Sequence, residues 1–178
     1  MSVPKKEVTV KSETLYEGNI LTLKRDTVIA ASGDEALREI VLHSGGVGIV
    51  ALTSENKIVL VKQYRIALDD FILEIPAGKL EIDEDIYKAA ERELKEETGY
   101  SAEKVEFLGE VLASPGFLTE KVSLFLATGL KKGECSFDKD EDIETIEISF
   151  DEAVKMAVSG EIKDAKSVSG ILKAYIKG

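Results

Sequence analysis

The sequence predicts an α+β protein in which helices pack on both sides of a β-sheet, with a small antiparallel sheet near the N-terminus. Strand patterns without a helical period fill the first 44 residues, and strands mixed with helices follow from Gly45 onward. The 178 residues suffice for one ordinary domain, or for one domain with a small appendage.

The N-terminal strands are predicted from β-branched residues and turn signals. Ile20–Ile29 is rich in β-branched residues and follows a Glu-Gly-Asn turn signal at residues 17–19. A Gly-Asp pair at residues 33–34 predicts another turn before a strand at Leu37–Leu42. Together these patterns predict the small antiparallel sheet.

The remaining strands are more apolar and indicate a core sheet. Val47–Leu52 and Ile58–Val61 flank a polar turn at residues 54–57, which predicts a hairpin. Further strands are expected at Phe71–Ile75, Val105–Leu112, Val122–Ala127 and Ile143–Ile148.

Three segments have a helical pattern. Asp83–Thr98 is predicted to start with acidic residues in its first turn and to stop at Gly99. Phe150–Val158 is expected to be capped by Ser149, and Ala165–Ile176 is the last helix.

Composition and charge exclude several classes of function. Hydrophobic residues at 44% and charged residues at 32% are typical of a soluble globular chain. The net charge of −11 repels a nucleic acid backbone. The longest apolar run, Gly45–Leu52, is far shorter than the ~20 residues of a membrane span. With no apolar leader and a single cysteine, Cys135, we expect a cytoplasmic location.

The helix at Asp83–Thr98 carries carboxylates on the face that should be buried. At about 100° per residue from Ile86, Ala90 and Leu94 define the apolar face at about 40° and 80°. Three glutamates lie on or beside this face. Glu97 falls within it at about 20°, whereas Glu93 at about 340° and Glu96 at about 280° lie beside it. A solvated face with i,i+4 ion pairs accounts for Glu91 and Asp85 but not for Glu97.

Three clustered, half-buried carboxylates require a cation, because they repel one another and resist desolvation. Oxygen ligands favour a hard ion such as Mg²⁺ or Mn²⁺. A divalent metal would also let an acidic protein hold phosphate groups, and Arg92 lies where it can support Glu96 from the side.

The residues around this helix have the spacing of a known motif. The pattern GX5EX7REUXEEXGU is matched at every specified position by Gly78, Glu84, Arg92, Glu93, Leu94, Glu96, Glu97, Gly99 and Tyr100. The chain thus resembles the Nudix hydrolases. Features typical of their ADP-ribose pyrophosphatase branch are Arg38-Glu39-Ile40, Gln63-Tyr64-Arg65, Glu74-Ile75-Pro76-Ala77-Gly78, Ser114-Pro115-Gly116 and the segment at residues 160–165.

This resemblance implies a fold, a reaction and a metal. The fold would be an α/β/α sandwich around a mixed sheet, with a small β domain at residues 1–44 and the Nudix domain at residues 45–178. The reaction would be Mg²⁺-dependent hydrolysis of a nucleoside diphosphate linked to another moiety, with Mn²⁺ as an alternative. In relatives the metal ligands correspond to Glu93, Glu96, Glu97 and the carbonyl of Ala77.

The resemblance also implies a further acidic group in the loop at residues 138–142. Relatives often place acidic residues at two alternate positions there, and Glu141 matches one while Lys139 occupies the other. Glu141 is therefore expected to act as base or metal ligand. Asp138, Asp140 or a glutamate of the motif, such as Glu96 or Glu97, would complete the set.

Substrate contacts are expected at residues that match the ADP-ribose branch: Arg38, Glu39, Arg65, Ser114, Pro115 and Glu120. A guanidinium such as that of Arg65 can both pair with phosphate and stack on adenine. The position of Arg38 reaches the nucleotide across a dimer interface in relatives, so we expect a homodimer. His43, the only histidine, is expected to be structural.

Three functions follow from the resemblance. The leading one converts ADP-ribose to AMP and ribose 5-phosphate. Another nucleotide sugar is the near alternative, since the motif fixes the pyrophosphate and not the ends of the substrate. The third is a regulator that binds ADP-ribose without cutting it, and such proteins usually have a broken motif.

Overall fold

The computed structural model describes residues 5–133 and 143–178, which form two compact units. The first contains the residues up to Ser44 together with Leu112–Glu120. The second contains Gly45–Val111 and Lys121–Gly178. The α+β class is confirmed, and so is the small antiparallel sheet at the N-terminus.

The first unit is built on a three-stranded antiparallel sheet in the order β1-β2-β3. Its strands are β1 (Val8–Glu17), β2 (Thr22–Ile29) and β3 (Glu35–Leu42). Every residue of β1 is exposed. In the part of this unit that the structure describes, Val28 is the one hydrophobic side chain that is buried. The unit therefore has almost no core of its own.

A segment distant in sequence joins the end of β3. The N–H of Val41 donates to the carbonyl of Phe117 at 2.7 Å, and the N–H of Thr119 donates to the carbonyl of Val41 at 3.0 Å. The sequence patterns did not predict this pairing, which brings Leu112–Glu120 into the first unit.

The second unit contains a mixed sheet, seven-stranded in the described residues, in the order β12-β5-β4-β10-β9, with β6 paired to β5 and β7 to β4. The predicted hairpin is confirmed, since Ala51 faces Val59 in the antiparallel pair β4–β5. β10 runs parallel to β4. The strands, with the short pair β8 and β11, are β4 (Gly46–Leu52), β5 (Lys57–Arg65), β6 (Asp70–Glu74), β7 (Ala77–Lys79), β8 (Tyr100–Ser101), β9 (Lys104–Leu112), β10 (Lys121–Thr128), β11 (Lys131–Lys132) and β12 (Ile143–Ser149).

The three helices are α1 (Ile86–Thr98), α2 (Phe150–Ser159) and α3 (Ala165–Lys177). The prediction that α1 begins at Asp83 with an acidic first turn is wrong. Asp85 is instead the N-cap, and its carboxylate accepts hydrogen bonds from two backbone N–H groups of the first turn. Gly99 ends the helix with φ 72°, as predicted, and Ser149 caps α2.

Neighbouring residues of β10 point to opposite sides of the sheet and create two cores. Leu124 is buried in a cluster that contains Ile171 of α3, whereas Phe125 is buried in a cluster that contains Leu94 of α1. This arrangement is the predicted α/β/α sandwich, and it fixes α1 against one face of the sheet.

Candidate active site

The core-facing side of α1 carries Glu97 as predicted. Its side chain lies among the buried residues of the helix and is 3% exposed. Oε2 of Glu97 accepts a hydrogen bond from the N–H of Ala77 at 2.9 Å. β7 pairs with β4, and Ala77 faces Gly48 in that pair, so the sheet itself holds this amide beside α1.

The carboxylate of Glu93 lies against Gly78. A Cβ at residue 78 would overlap the Glu93 carboxyl group, so any larger residue there would displace this carboxylate. The side chain of Glu93 is 12% exposed. Glu97 and Glu93 thus contact two successive residues of β7, Ala77 and Gly78.

Arg92 connects Glu93 to two further glutamates, Glu84 and Glu96. Its Nε and Nη2 each lie 2.9 Å from an oxygen of Glu84, and its Nη1 lies 2.7 Å from Glu93 and 2.9 Å from Glu96. The hydrogen bonds from Arg92 hold the pKa of Glu84 below its usual value. Oε2 of Glu84 also accepts the N–H of Glu81 at 3.1 Å, which ties the loop before α1 to the helix.

These carboxylates are not brought together into a closed metal cage. Within the described ranges, no group of three or more His, Cys, Asp or Glu side chains is arranged to hold a metal ion. Glu93 and Glu96 meet at the Arg92 guanidinium, and Glu97 meets the backbone of β7.

The donor set nevertheless fits a hard divalent cation. All candidate ligands are oxygens, as Mg²⁺ and Mn²⁺ prefer. The Arg92 guanidinium contacts three carboxylates, those of Glu84, Glu93 and Glu96, so this group of side chains carries an excess of negative charge when all are ionised. Burial makes that excess costly without a cation.

Glu141, the predicted base or metal ligand, lies outside the described residues, as do Asp138 and Asp140. The strand that follows them in sequence is placed beside α1. Oγ1 of Thr145 in β12 donates to the carbonyl of Glu97 at 3.4 Å. The role of Glu141 stays a prediction.

Arg65, at the end of β5, lies in the same unit as these glutamates. It forms a two-pronged ion pair with Glu74, a residue that is 1% exposed. This hydrogen-bonded pair raises the pKa of Arg65, and the charge of Glu97 contributes to the shift. The partner was missed by the sequence reasoning, although a glutamate within the apolar strand Phe71–Ile75 is a signal of a buried ion pair.

The other predicted substrate residues belong to the first unit. Arg38 on β3 pairs with Glu7, at 3.0 Å from Nε and 2.5 Å from Nη2, and its neighbour Glu39 is exposed. The carbonyl of Ser114, the residue before Pro115, accepts the N–H of Leu118 at 2.9 Å.

Glu120 ends the same segment. Its Oε1 lies 3.6 Å from Nδ1 of His43, which gives the only histidine a local partner. The backbone N–H of His43 also donates to Oγ1 of Thr119 at 3.0 Å. His43, the residue after β3, therefore contacts the segment that carries three of the predicted substrate residues, Ser114, Pro115 and Glu120.

No helix in the described part of the chain is long and apolar enough to cross a membrane.

Comparisons with known proteins agree with the fold. The chain is 44% identical to a methanol dehydrogenase activator of Bacillus methanolicus, over 93% of this chain and 90% of the relative. It is 40% identical to an ADP-ribose pyrophosphatase of Bacillus subtilis (strain 168), over 96% of this chain and 94% of the relative. The crystal structure of an ADP compounds hydrolase shares its fold, with a TM-score of 0.88 at 20% identity over 99% of this chain and 96% of that one.

The NUDIX domain model matches residues 42–168, which is most of the chain. That span includes the glutamates of α1, their partners on β7, and Arg65 with Glu74. Proteins of this family generally need a divalent metal, in agreement with the all-oxygen donor set. The chain belongs to the Nudix family of hydrolases.

Proposed function

We propose that this Nudix hydrolase cleaves the pyrophosphate of ADP-ribose and releases AMP and ribose 5-phosphate. The observation that carries the proposal is the set of carboxylates that α1 presents beside Ala77 and Gly78. A pyrophosphate and an acidic site repel each other, so this arrangement needs a divalent cation between them. The 40% identical relative named as an ADP-ribose pyrophosphatase supports the choice of substrate.

In this proposal Glu93, Glu96, Glu97 and the carbonyl of Ala77 hold Mg²⁺, with Mn²⁺ as a substitute. When bound there, the ion supplies Lewis acidity and lowers the pKa of water. Glu97 accepts the N–H of Ala77, and this hydrogen bond holds its carboxylate beside that residue.

The remaining roles fall to residues around this centre. Glu141 deprotonates or orients the attacking water, or completes the ligand set. Arg65 contacts a phosphate or the adenine. Its guanidinium pairs with Glu74, but the Arg65 side chain is still 41% exposed and can reach a ligand. Arg38, Glu39, Ser114, Pro115 and Glu120 contact the nucleotide, and the active form is a homodimer.

A regulatory function is the second candidate, because the 44% identical relative is named as an activator of a dehydrogenase. A regulator that only binds its ligand has no need of an ionised carboxylate cluster. The intact set of Glu93, Glu96 and Glu97 therefore favours the enzyme.

A substrate panel separates these functions. The purified protein is incubated with ADP-ribose, GDP-mannose, an ADP-hexose or a dinucleotide, each with Mg²⁺, with Mn²⁺ or with a chelator. We expect the highest kcat/KM for ADP-ribose with Mg²⁺, release of AMP and ribose 5-phosphate, and no turnover with the chelator.

Two outcomes would contradict the proposal. A higher kcat/KM for another member of the panel would assign a different nucleotide substrate. Tight binding of ADP-ribose without release of AMP would assign the regulatory function instead.

A further inference from the structure

A chain of polar contacts joins Arg65 to the start of α3 through one buried carboxylate. Nε and Nη2 of Arg65 lie 2.7 and 2.9 Å from the two oxygens of Glu74, which is 1% exposed. Nζ of Lys166 contacts Oε2 of Glu74, the oxygen that also accepts a hydrogen bond from Nη2 of Arg65. Glu74 therefore pairs with two positively charged side chains, Arg65 from β5 and Lys166 from α3.

Lys166 is itself held by the first turn of α3. Its Nζ lies 2.9 Å from Oδ2 of Asp164, the N-cap of the helix. The same Oδ2 accepts the N–H and the hydroxyl of Ser167, at 2.9 and 2.5 Å. The Ser167 hydroxyl oxygen accepts the N–H of Ile75 at 2.8 Å. The start of α3 is thus hydrogen-bonded to the backbone of Ile75, which directly follows β6 and lies two residues before Ala77.

The ion pair with Glu74 uses one edge of the Arg65 guanidinium and leaves the Nη1 group for a ligand. Nε and Nη2 are used in the ion pair, and Nη1 makes no hydrogen bond with any residue that the structure describes. The plane of a two-pronged ion pair follows the plane of its carboxylate. The last torsion of a glutamate is broad, so a third contact is needed to fix that plane.

We propose that Lys166 is a positioning residue for the hydrolysis: through Glu74 it fixes the Arg65 guanidinium so that Nη1 faces the phosphate or adenine of the substrate. The inference rests on the proposed function, in which Arg65 contacts the substrate. Lys166 supplies the third contact of Glu74, and its partner Asp164 prevents it from turning to solvent. The two cations, Arg65 and Lys166, then balance the two carboxylates, Glu74 and Asp164, of which Glu74 is fully buried.

The test compares two lysines of the same helix. Lys166→Met removes the contact with Glu74. Lys173→Met is the matched control, because Nζ of Lys173 donates to the carbonyl of Leu108 at 3.3 Å and touches no part of the Arg65 network. All assays use the best substrate of the panel.

We expect Lys166→Met to raise KM about tenfold with little change in kcat, because Arg65 would bind substrate and transition state alike. Lys166→Arg restores a cation and should recover much of the loss. Lys173→Met should keep the wild-type KM. An unchanged KM in folded Lys166→Met overturns the inference.

A double-mutant cycle with Arg65→Ala distinguishes positioning from general stabilisation. Lys166→Met should raise KM no further when Arg65 is absent. The same factor in both backgrounds overturns the inference. Glu74→Gln is the second variant, since a neutral amide leaves no unpaired buried charge if Lys166→Met fails to fold. A folded Glu74→Gln protein with wild-type KM would also overturn it.

These outcomes are separate from failure of the proposed function. A wild type that turns over no member of the panel contradicts the proposed function and the inference with it. A wild-type KM in Arg65→Ala removes the substrate role of Arg65, and therefore the inference, while leaving the reaction in place.

Discussion

The carboxylate of Glu93 occupies the space in which a side chain at Gly78 would begin. Gly78 belongs to β7 and Glu93 to α1, so this contact lies between a strand and a helix. A side chain at this position would displace a proposed metal ligand, whereas backbone conformation does not demand glycine, since Gly78 is not among the residues with positive φ.

Gly78→Ala should reduce kcat sharply while the protein remains folded. The added methyl group overlaps the carboxylate of Glu93 and must displace it. Since this carboxylate is the end of a flexible side chain, the loss of stability should fall at the low end of the about 1–3 kcal/mol that overpacking typically costs. The measurements are kcat with Mg²⁺ and the free energy of unfolding. In a Glu93→Ala background the same substitution should cost little stability. Wild-type kcat in Gly78→Ala would show that Glu93 need not stay where it is.

Glu97→Gln should lower turnover at least about 100-fold, as loss of a strong electrostatic contribution does. The amide keeps the shape of the side chain but removes the charge proposed to hold the metal. Glu91→Gln is the matched control, because Glu91 is exposed on the same helix. Turnover and Mg²⁺ dependence are measured together. An active Glu97→Gln enzyme with wild-type Mg²⁺ dependence would end the assignment.

The burial of Glu97 was predictable because helical periodicity is local: its angle follows from its distance to Ala90 and Leu94 in sequence. The start of α1 was not. Asp83 adopts φ 59°, outside the helical region, and Asp85 adopts an extended conformation as N-cap. The acidic residues Asp83 and Asp85 match the composition of a first helical turn, but sequence periodicity does not show where the backbone becomes helical.

Contacts between distant segments were also beyond the sequence patterns. Lys166 and Glu74 are 92 residues apart, and the pairing of Val41 with Leu118 connects β3 to a loop between two later strands. No period or turn signal links such positions. The motif therefore identified the glutamates of α1, whereas the partners that orient Arg65 required three-dimensional coordinates.

Glu141→Gln should lower kcat strongly and change KM much less. A base or metal ligand acts on the reacting atoms, and removal of its charge affects the transition state more than substrate binding. Asp138→Asn and Asp140→Asn are the comparison variants, at the acidic positions nearest to Glu141 in sequence. A loss of kcat in one of these, with Glu141→Gln near normal, would transfer the role to that neighbour.

Asp164→Asn should make stability less sensitive to acid. Burial raises the pKa of Asp164, but the charge of Lys166 and hydrogen bonds from Ser167 outweigh it and hold the pKa below its ordinary value of 3.8. The stabilisation from the ionised group is therefore present above the ordinary value and is lost as pH falls through the lowered one.

Asparagine still caps α3, so the substitution removes the charge and keeps the cap. We expect the variant to be less stable than wild type at pH 7 by about 1–3 kcal/mol, with a difference that shrinks in acid. Urea unfolding at a series of pH values measures it. Asp151→Asn, at an exposed position in α2, is the control. A difference that stays constant at every pH would contradict the assignment.

The last prediction is a homodimer with shared active sites, and its motivation is the weak core of the first unit. Its described residues bury one hydrophobic side chain, Val28, and leave Val8, Val10 and Tyr16 of β1 more than half exposed. A three-stranded sheet with so little buried apolar surface is seldom stable alone. Arg38 lies on this sheet and is proposed to contact the nucleotide of the partner subunit.

Chains that each lack one half of such a site should complement each other. Arg38→Ala and Glu97→Gln are expected to be poorly active alone, and their mixture should recover part of the activity, because one composite site of a heterodimer regains both groups. Arg25→Ala is the control for Arg38→Ala, since Arg25 pairs with Glu13 on the same sheet. Sedimentation measures the oligomeric state. A monomeric wild type, or no recovery in heterodimers proven by differential tagging, would contradict a shared site.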